Sequence, residues 1–154
     1  MRKDGPWATM LLLVLAGVLV AGGASAAEPI GTVKTATGTV QVRSSSAESE
    51  ANVGTPIRLN DTVTTGPQGA VGITFTDSTM LSLGPNSEIV VDQYVYNPQG
   101  NDSSFAANMA RGTLQLISGE IAKLSQNTVD VTTPGGAIAI RGTRILVEVS
   151  EPNE

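Results

Sequence analysis

The chain has 154 residues, a formal net charge of −5, and neither histidine nor cysteine. The missing residue types exclude the usual general base, the thiol nucleophile and the common zinc ligands, and the acidic balance excludes a nucleic-acid-binding surface. The length suits one domain with a single modest core, which no disulfide stabilises.

The first 26 residues predict a signal-peptide helix. Arg2 and Lys3 form a basic start, residues 10–21 form an uncharged apolar core, and Ala24 and Ala26 are the small residues that a signal peptidase reads. We therefore expect cleavage before Ala27. An uncleaved membrane anchor is the alternative, because residues 8–27 are about as long as a bilayer is thick.

Cleavage would also change the charge of the protein. It removes Arg2, Lys3 and Asp4, which leaves seven basic and thirteen acidic residues and a net charge of −6. The absence of cysteine excludes a lipoprotein anchor. The expected product is periplasmic or secreted, with no membrane attachment.

After a linker at residues 27–30, the mature chain alternates short apolar runs with turn signals. The clearest run has Val71, Ile73 and Phe75 on one face, as expected for a half-buried strand. Residues 44–51 predict an exposed loop, because Ser, Ala and Glu dominate them. Further strands are predicted at residues 33–35, 39–43, 62–65 and 80–83.

The second half of the chain continues this pattern. Residues 89–96 are rich in β-branched and aromatic side chains, and their mixed faces predict burial on both sides over part of the strand. Residues 97–104 predict a polar loop, and residues 105–110 fit either a strand or one helical turn. Strands are predicted at residues 113–117, 120–124 and 128–132.

The fold class that follows is all-β. We expect a single domain of many short strands, similar to a jelly roll or a sandwich, while winding of the solenoid type stays open. No segment after the signal peptide has helical periodicity over a useful length.

Paired carboxylates are the remaining generic route to catalysis, and Asp61 and Asp77 are the candidates. Neither stands in the Asp-Thr-Gly or Asp-Ser-Gly setting of an aspartic protease. Both follow turn signals, where an aspartate side chain commonly accepts hydrogen bonds from backbone amides. We therefore interpret both as turn-forming residues, and we predict no catalytic, metal or cofactor site.

The strongest pattern in the chain surrounds Arg141. Ile138 and Ile140 precede it, and Ile145, Val147 and Val149 follow in alternation, which predicts two half-buried strands. Because Arg141 continues an apolar run, we expect its guanidinium to be partly buried and paired, with Asp61, Asp77 or Glu120 as partner. An anion site or a partner-docking site is the alternative.

These segments together resemble the FecR domain, an extracytoplasmic all-β module of bacteria. The resemblance covers residues 31–149 and leaves a tail at 150–154. It includes the short runs Asp61–Gly66, Phe75–Asp77, Leu81–Pro85 and Arg111–Gly112. The motif and structural residues that we assign are Asp61, Gly66, Asp77, Leu83, Gly84, Gly112, Thr133, Pro134, Arg141, Gly142 and Thr143.

The chain departs from the family pattern at two positions. Ser78 stands where the family commonly has glycine, and Ile145 stands where it has an aromatic residue. FecR-like regulators also carry a cytoplasmic anti-sigma segment before a membrane span and a receptor-facing segment after the β-domain. This sequence shows neither, so the resemblance implies only the β-domain.

The resulting hypothesis is a non-catalytic domain that binds an unidentified protein of the bacterial envelope, with envelope signalling as one such role. Two alternatives stay open. One is a carbohydrate-binding or carbohydrate-cleaving β-sandwich, for which the mature chain offers only Phe75, Tyr94, Tyr96 and Phe105 as stacking residues. The other is a structural subunit of an envelope assembly, which would use exposed strand edges.

Overall fold

Strands make up most of the described chain, which in this computed structural model comprises residues 27–100, 102–124, 129–142 and 144–150. The predicted signal peptide, Thr143 and the last residues of the predicted tail lie outside these ranges. The described elements are β1 (Gly31–Thr37), β2 (Val40–Arg43), β3 (Glu48–Glu50), β4 (Pro56–Ile57), β5 (Thr62–Thr65), β6 (Ala70–Phe75), β7 (Met80–Leu83), β8 (Glu88–Val95), β9 (Ser104–Ile117), α1 (Ile121–Leu124), β10 (Val129–Thr133), β11 (Gly136–Ile140) and β12 (Arg144–Val149).

The strands form one curled, mainly antiparallel sheet with the shape of a half-barrel. Its first half-sheet has the order β4-β1-β6-β7-β9-β12. Its second half-sheet has the order β3-β2-β5-β8-β9-β10-β11. The all-β prediction is confirmed. Among the described residues, no helix is long and apolar enough to cross a membrane.

Four stretches of chain cross from one half-sheet to the other, and each changes direction at a short corner. The stretch β1–β2 turns at residues 38–39, β5–β6 at residues 66–69, and β7–β8 at residues 84–87. The long strand β9 turns within itself at Gly112, whose φ is 96°. The pairing of β9 changes there: Ser104–Arg111 pair with β8, and Gly112–Ile117 pair with β12.

Two rows of paired apolar side chains fill the space inside the curl. In the first half-sheet the row is Val33, Ile73, Leu81, Leu116 and Ile145. In the second half-sheet it is Val42, Val63, Ile89 and Met109. All of these belong to or pack against one core cluster. Burying each such side chain stabilises the fold by roughly 1.5–3 kcal/mol, so the alternation of apolar residues along these core strands specifies which face points inward.

Several predicted elements need correction. Within the strand predicted at residues 120–124, residues 121–124 form the helical turn α1 instead, because the backbone amides of Glu120 and Ile121 bond to Asp77 and start a turn of helix. Residues 105–110 belong to a strand, which decides between the two alternatives. The predicted loop at 44–51 contains the short exposed strand β3.

Burial along β8 also differs from the prediction. Ile89 and Val91 are buried, whereas the alternate residues and the last part of the strand are not. The strand therefore has one buried face, and the predicted burial on both faces is wrong. Its β-branched outer residues reflect strand propensity alone.

The close approach at the β9 corner yields a prediction. A side chain at Gly112 would overlap Ser87, and φ of 96° is unfavourable for any L-residue. Gly112→Ala should lower the free energy of unfolding by about 2–4 kcal/mol, because crowding adds to backbone strain. Urea denaturation followed by circular dichroism measures this change.

Two other glycines separate these contributions. Gly54 has φ of 95° with open space around it, so Gly54→Ala should cost only about 1–2 kcal/mol. Gly142 has open space and no such φ, so Gly142→Ala should stay within about 0.5 kcal/mol of the parent chain. Equal losses for Gly112→Ala and Gly54→Ala would contradict a crowded corner.

Candidate functional site

The turn between β6 and β7 contains a fully buried carboxylate, Asp77. Its Oδ1 accepts hydrogen bonds from the Thr79 amide and the Tyr94 hydroxyl, each at 3.1 Å. Its Oδ2 accepts from the Thr79 hydroxyl at 2.6 Å and from the Ile121 amide at 3.3 Å. Residues far apart in the chain therefore share one buried charge, which is stable there only because its oxygens are hydrogen-bonded.

Tyr94 connects this carboxylate to the aromatic part of the core. Its ring contacts Phe75 and Phe105 at centroid distances of 5.6 and 6.0 Å. Its hydroxyl also accepts a hydrogen bond from the Asp77 amide at 3.0 Å. Burial, with the adjacent Asp77 charge as a smaller contribution, raises the pKa of Tyr94 from 10.0 to about 12.

Asp61 closes the turn that precedes β5. Its side chain is 4% exposed, and its Oδ2 accepts a hydrogen bond from the Arg58 amide at 2.8 Å. The Asp61 amide donates in return to the Arg58 carbonyl at 3.2 Å. Asn60 has φ of 66°, a conformation that asparagine tolerates better than most residues. The prediction that Asp61 and Asp77 form turns is confirmed.

The cleft beside Asp61 has a volume of about 710 Å³. Arg43, Arg58 and three consecutive serines, Ser44–Ser46, line it. The Nε atom of Arg58 already donates to the Ala27 carbonyl at 2.8 Å. Asp61 contributes the one carboxylate among the described residues that line this cleft, so the cleft brings no carboxylate pair together.

The two aspartates do not form an acid–base pair. The carboxylate oxygens of Asp77 accept hydrogen bonds from Thr79, Tyr94 and Ile121, and the Asp61 carboxylate accepts one from the Arg58 amide in its own turn. Among the described residues, no group of acidic side chains has the arrangement of a metal site. The hydrogen bonds of Asp61 and Asp77 therefore hold backbone amides in place.

A second hydrogen-bonded cluster, the corner seam, consists of Thr65, Gly84, Ser87, Gly112 and Thr113, of which Thr65 and Ser87 are buried. The Thr65 hydroxyl donates to the Gly84 carbonyl at 2.6 Å, and the Ser87 amide donates to Thr65 Oγ1 at 2.9 Å. Ser87 Oγ accepts from the Thr113 amide at 3.0 Å. The seam joins the corners of adjacent stretches and leaves no space for larger side chains.

The corner seam accounts for several predicted motif residues. Gly84 and Gly112 belong to it, and the Gly66 carbonyl accepts the Asn86 amide beside it at 3.0 Å. Leu83 packs in the core next to the seam, with 2% of its surface exposed. These motif residues therefore lie where the sheet bends, within the fold and not on its surface.

The remaining motif residues lie near the exposed connections of β10, β11 and β12. Thr133 begins the β10–β11 turn, where its hydroxyl donates to the Gly136 carbonyl at 3.0 Å. Pro134 follows in the same turn, and both residues line a cleft of about 500 Å³. Gly142 lies in the β11–β12 connection and is exposed. Thr143 lies outside the described residues.

The predicted burial of Arg141 is wrong, because its side chain is exposed. The apolar run before it belongs to an outer strand, β11, in which Ile140 alone is buried. The strand ends at Ile140, so Arg141 lies in the connection beyond the core. The hypothesis of a buried strut depended on that burial, and an exposed ion pair contributes only about 0–1 kcal/mol.

The proposed carboxylate partners of Arg141 also have other roles. Asp77 and Asp61 bond to the groups described above, and Glu120 pairs with Lys123 at 3.0 Å on the surface. Sequence spacing placed these residues in neighbouring motif segments, but it carried no information on the direction of their side chains.

The outer strands β11 and β12 are the surfaces that sequence reasoning missed. Ile138 of β11 is 39% exposed, and Leu146 of β12 is 76% exposed. The alternation of apolar residues predicted half-buried strands, but it did not show that β11 and β12 lie at the edges of the sheet. The exposure of Leu146 could have been predicted from the sequence, because the charged residues Arg144 and Glu148 flank it on the same face of β12.

The comparison with known protein families gives one match. The family model described as FecR protein matches residues 61–153, which is more than half of the 154 residues. The match begins at Asp61 and includes Asp77, the corner seam and all strands from β5 onward. No curated protein and no solved structure matches the chain.

The Asp77 network gives a stability prediction. Asp77→Asn removes the charge and directs an amide N–H₂ at groups that are themselves donors, so it should destabilise the fold by about 2–4 kcal/mol. The control is Asp92→Asn on β8, where the side chain is exposed and the same change should be nearly neutral. Comparable losses for the two variants would rule out a special role of the buried carboxylate.

Tyr94 gives a prediction for alkaline pH. Its pKa is raised on folding, so the neutral phenol stabilises the fold fully below pH 10.0, and this contribution is lost as the pH rises toward about 12. Urea denaturation across that range should show the loss in the parent chain and in Tyr96→Phe, but a smaller loss in Tyr94→Phe. An unchanged alkaline loss in Tyr94→Phe would contradict this assignment.

Proposed function

We propose, because this chain belongs to the FecR protein family, that it is a non-catalytic domain that binds another protein of the bacterial envelope through the outer edge of β11. The family match supports a role related to envelope signalling. The observation that carries the binding proposal is the open, uncharged edge of β11.

The geometry of β11 suits the addition of a further strand. Within the described residues, β11 pairs with β10 alone, from Gly136 opposite Thr133 to Ile140 opposite Val129. Its other edge therefore presents backbone N–H and C=O groups that an extended segment of a partner can bond. Ile140 is 4% exposed and attaches the strand to the core, whereas Ile138 is available to a partner.

The composition of β11 favours a protein partner over other ligands. The strand reads Gly-Ala-Ile-Ala-Ile, without the charges or proline that commonly block outer strands. A side chain at Gly136 would meet nothing within 4 Å, so a neighbouring backbone can approach closely. Backbone pairing would supply affinity, and contact with Ile138 would supply specificity for an apolar residue.

The geometry gives less support to the two rival activities, carbohydrate binding and carbohydrate cleavage. Phe75 and Phe105 are buried and the partly buried Tyr94 packs against both, so these three rings do not form the exposed stacking platform that sugar sites require. The buried aspartates hold turns. Both observations support a binding role without catalysis, and the family supports a location in the periplasm or outside the cell.

Site-specific photo-crosslinking in the producing bacterium tests this proposal. A benzophenone amino acid at Ile138 should crosslink the exported chain to a second, different protein. The same amino acid at Val53, which is 67% exposed in the turn between β3 and β4 and therefore outside β11, is the matched control. Ile138→Asp should then weaken binding of the identified protein by about tenfold or more, since it places an unpaired charge at the contact.

Equal crosslinking from both positions, or none from Ile138, would contradict binding at β11. Crosslinking from Ile138 only to a second copy of the chain would also contradict it. The circular dichroism spectrum of each variant should match the parent spectrum, because both positions are exposed.

A further inference from the structure

The strand β12 forms the outer edge of the first half-sheet. It pairs with β9 from Arg144 opposite Ile117 to Val149 opposite Gly112. No other strand of the described residues pairs with it. One row of its backbone donors and acceptors therefore faces away from the sheet, which is an arrangement that invites another strand.

The side chains of β12 separate into a buried and an exposed face. Val147 is 7% exposed and Ile145 packs against the core, whereas Leu146 is 76% exposed. Arg144 and Glu148 lie on the same face as Leu146, two residues to either side, and both are exposed. A single exposed leucine is common. A leucine between opposite charges at equal distances is a more specific pattern.

This pattern is self-complementary in one arrangement. When two β12 strands pair antiparallel about Leu146, Arg144 of each copy stands opposite Glu148 of the other, and the two Leu146 side chains meet. Directly opposite residues have Cβ atoms about 4.5–5.5 Å apart, so both ion pairs and the leucine contact form together. Ile145 then stands opposite Val147 on the core face.

Other arrangements lose these contacts. Parallel pairing in the same register would place arginine beside arginine and glutamate beside glutamate. An antiparallel pair centred on Val147 would place Leu146 opposite Glu148 and Arg144 opposite Ser150. Charge complementarity therefore selects both the direction and the register.

The other outer strands do not offer an equivalent edge. In β3, antiparallel pairing of two copies would place Glu48 opposite Glu50. The strand β4 has two residues and begins with Pro56, which lacks a backbone donor. The strand β11 is uncharged, so no ion pair would fix its register. A shallow cleft of about 390 Å³, lined by Gln115, Arg144, Ile145 and Leu146, adjoins the β12 edge.

We propose that two copies of this chain associate through β12, in an antiparallel pair with its two-fold axis at Leu146. The first half-sheets of the two copies then form one continuous sheet. This association goes beyond the proposed function, because it uses a different strand and needs no foreign partner. The contact is small, so the dimer is weak and its population depends on concentration.

Charge exchange tests the register. Sedimentation velocity of the exported, purified chain over a wide concentration range should show a monomer–dimer equilibrium. Arg144→Glu and Glu148→Arg should each weaken it by about tenfold or more, since each variant puts like charges opposite one another in both pairs. The double variant Arg144→Glu/Glu148→Arg should restore the parent association constant.

A mixture of the two single variants is a sharper test. Each strand of one variant then meets the opposite charge on the other, so an equimolar mixture should associate although neither variant does so alone. Arg144 and Glu148 are exposed in each copy, so the urea-denaturation midpoints of the variants should equal that of the parent chain and show that the fold is intact.

Cysteine crosslinking checks the contact directly, because the chain contains no cysteine of its own. Leu146→Cys should form an intermolecular disulfide under mild oxidation, whereas Ile138→Cys on β11 should not. A monomer at every concentration, an association constant unchanged by Arg144→Glu, or preferential crosslinking at Ile138 would each overturn the proposal. None of these results bears on the crosslinks to a different protein that test β11.

Discussion

The fold depends on one steric constraint, which is the close approach of backbones along the corner seam. Three of the four stretches that cross between the half-sheets change direction there, and each brings its polar groups within bonding distance of the next. Gly112 has φ of 96° and faces Ser87, while the Thr65 hydroxyl bonds the Gly84 carbonyl at 2.6 Å. Small residues are needed because any larger side chain would separate the half-sheets and open the core between them.

The buried Asp77 carboxylate has a complementary role. It connects the β6–β7 turn to β8 through Tyr94 and to α1 through the Ile121 amide. A buried charge with this many donors fixes geometry more than it adds stability, because desolvation offsets much of the electrostatic gain. The acidic residues Asp61 and Asp77 of the motif segments therefore maintain structure.

The sequence predicted local structure well and long-range arrangement poorly. Alternation located β5, β6 and β7 correctly, and the turn chemistry of Asp61 and Asp77 was correct because an aspartate caps amides only a few residues away. The helical turn α1 was missed, because its first amide bonds to a side chain 44 residues earlier. The exposure of Arg141 was missed for a related reason: periodicity shows that a strand has two faces, but not whether the strand lies at the edge of its sheet. The binding proposals for β11 and β12 depend on that same information, because both strands lie at edges among the described residues.

The pairing of β10 has a consequence for the order of folding. It is parallel to β9, with Val129 opposite Phe105, whereas the other described strand pairs are antiparallel. Parallel neighbours need a crossover, here through α1, and β10 and β11 can join the sheet only after β9 is in place. We expect these strands to form after the folding transition state, when an N-terminal nucleus already exists. Contacts made that late control mainly the rate of unfolding, so the lifetime of the native state depends on β10 and on β11, whose outer edge no other described strand covers.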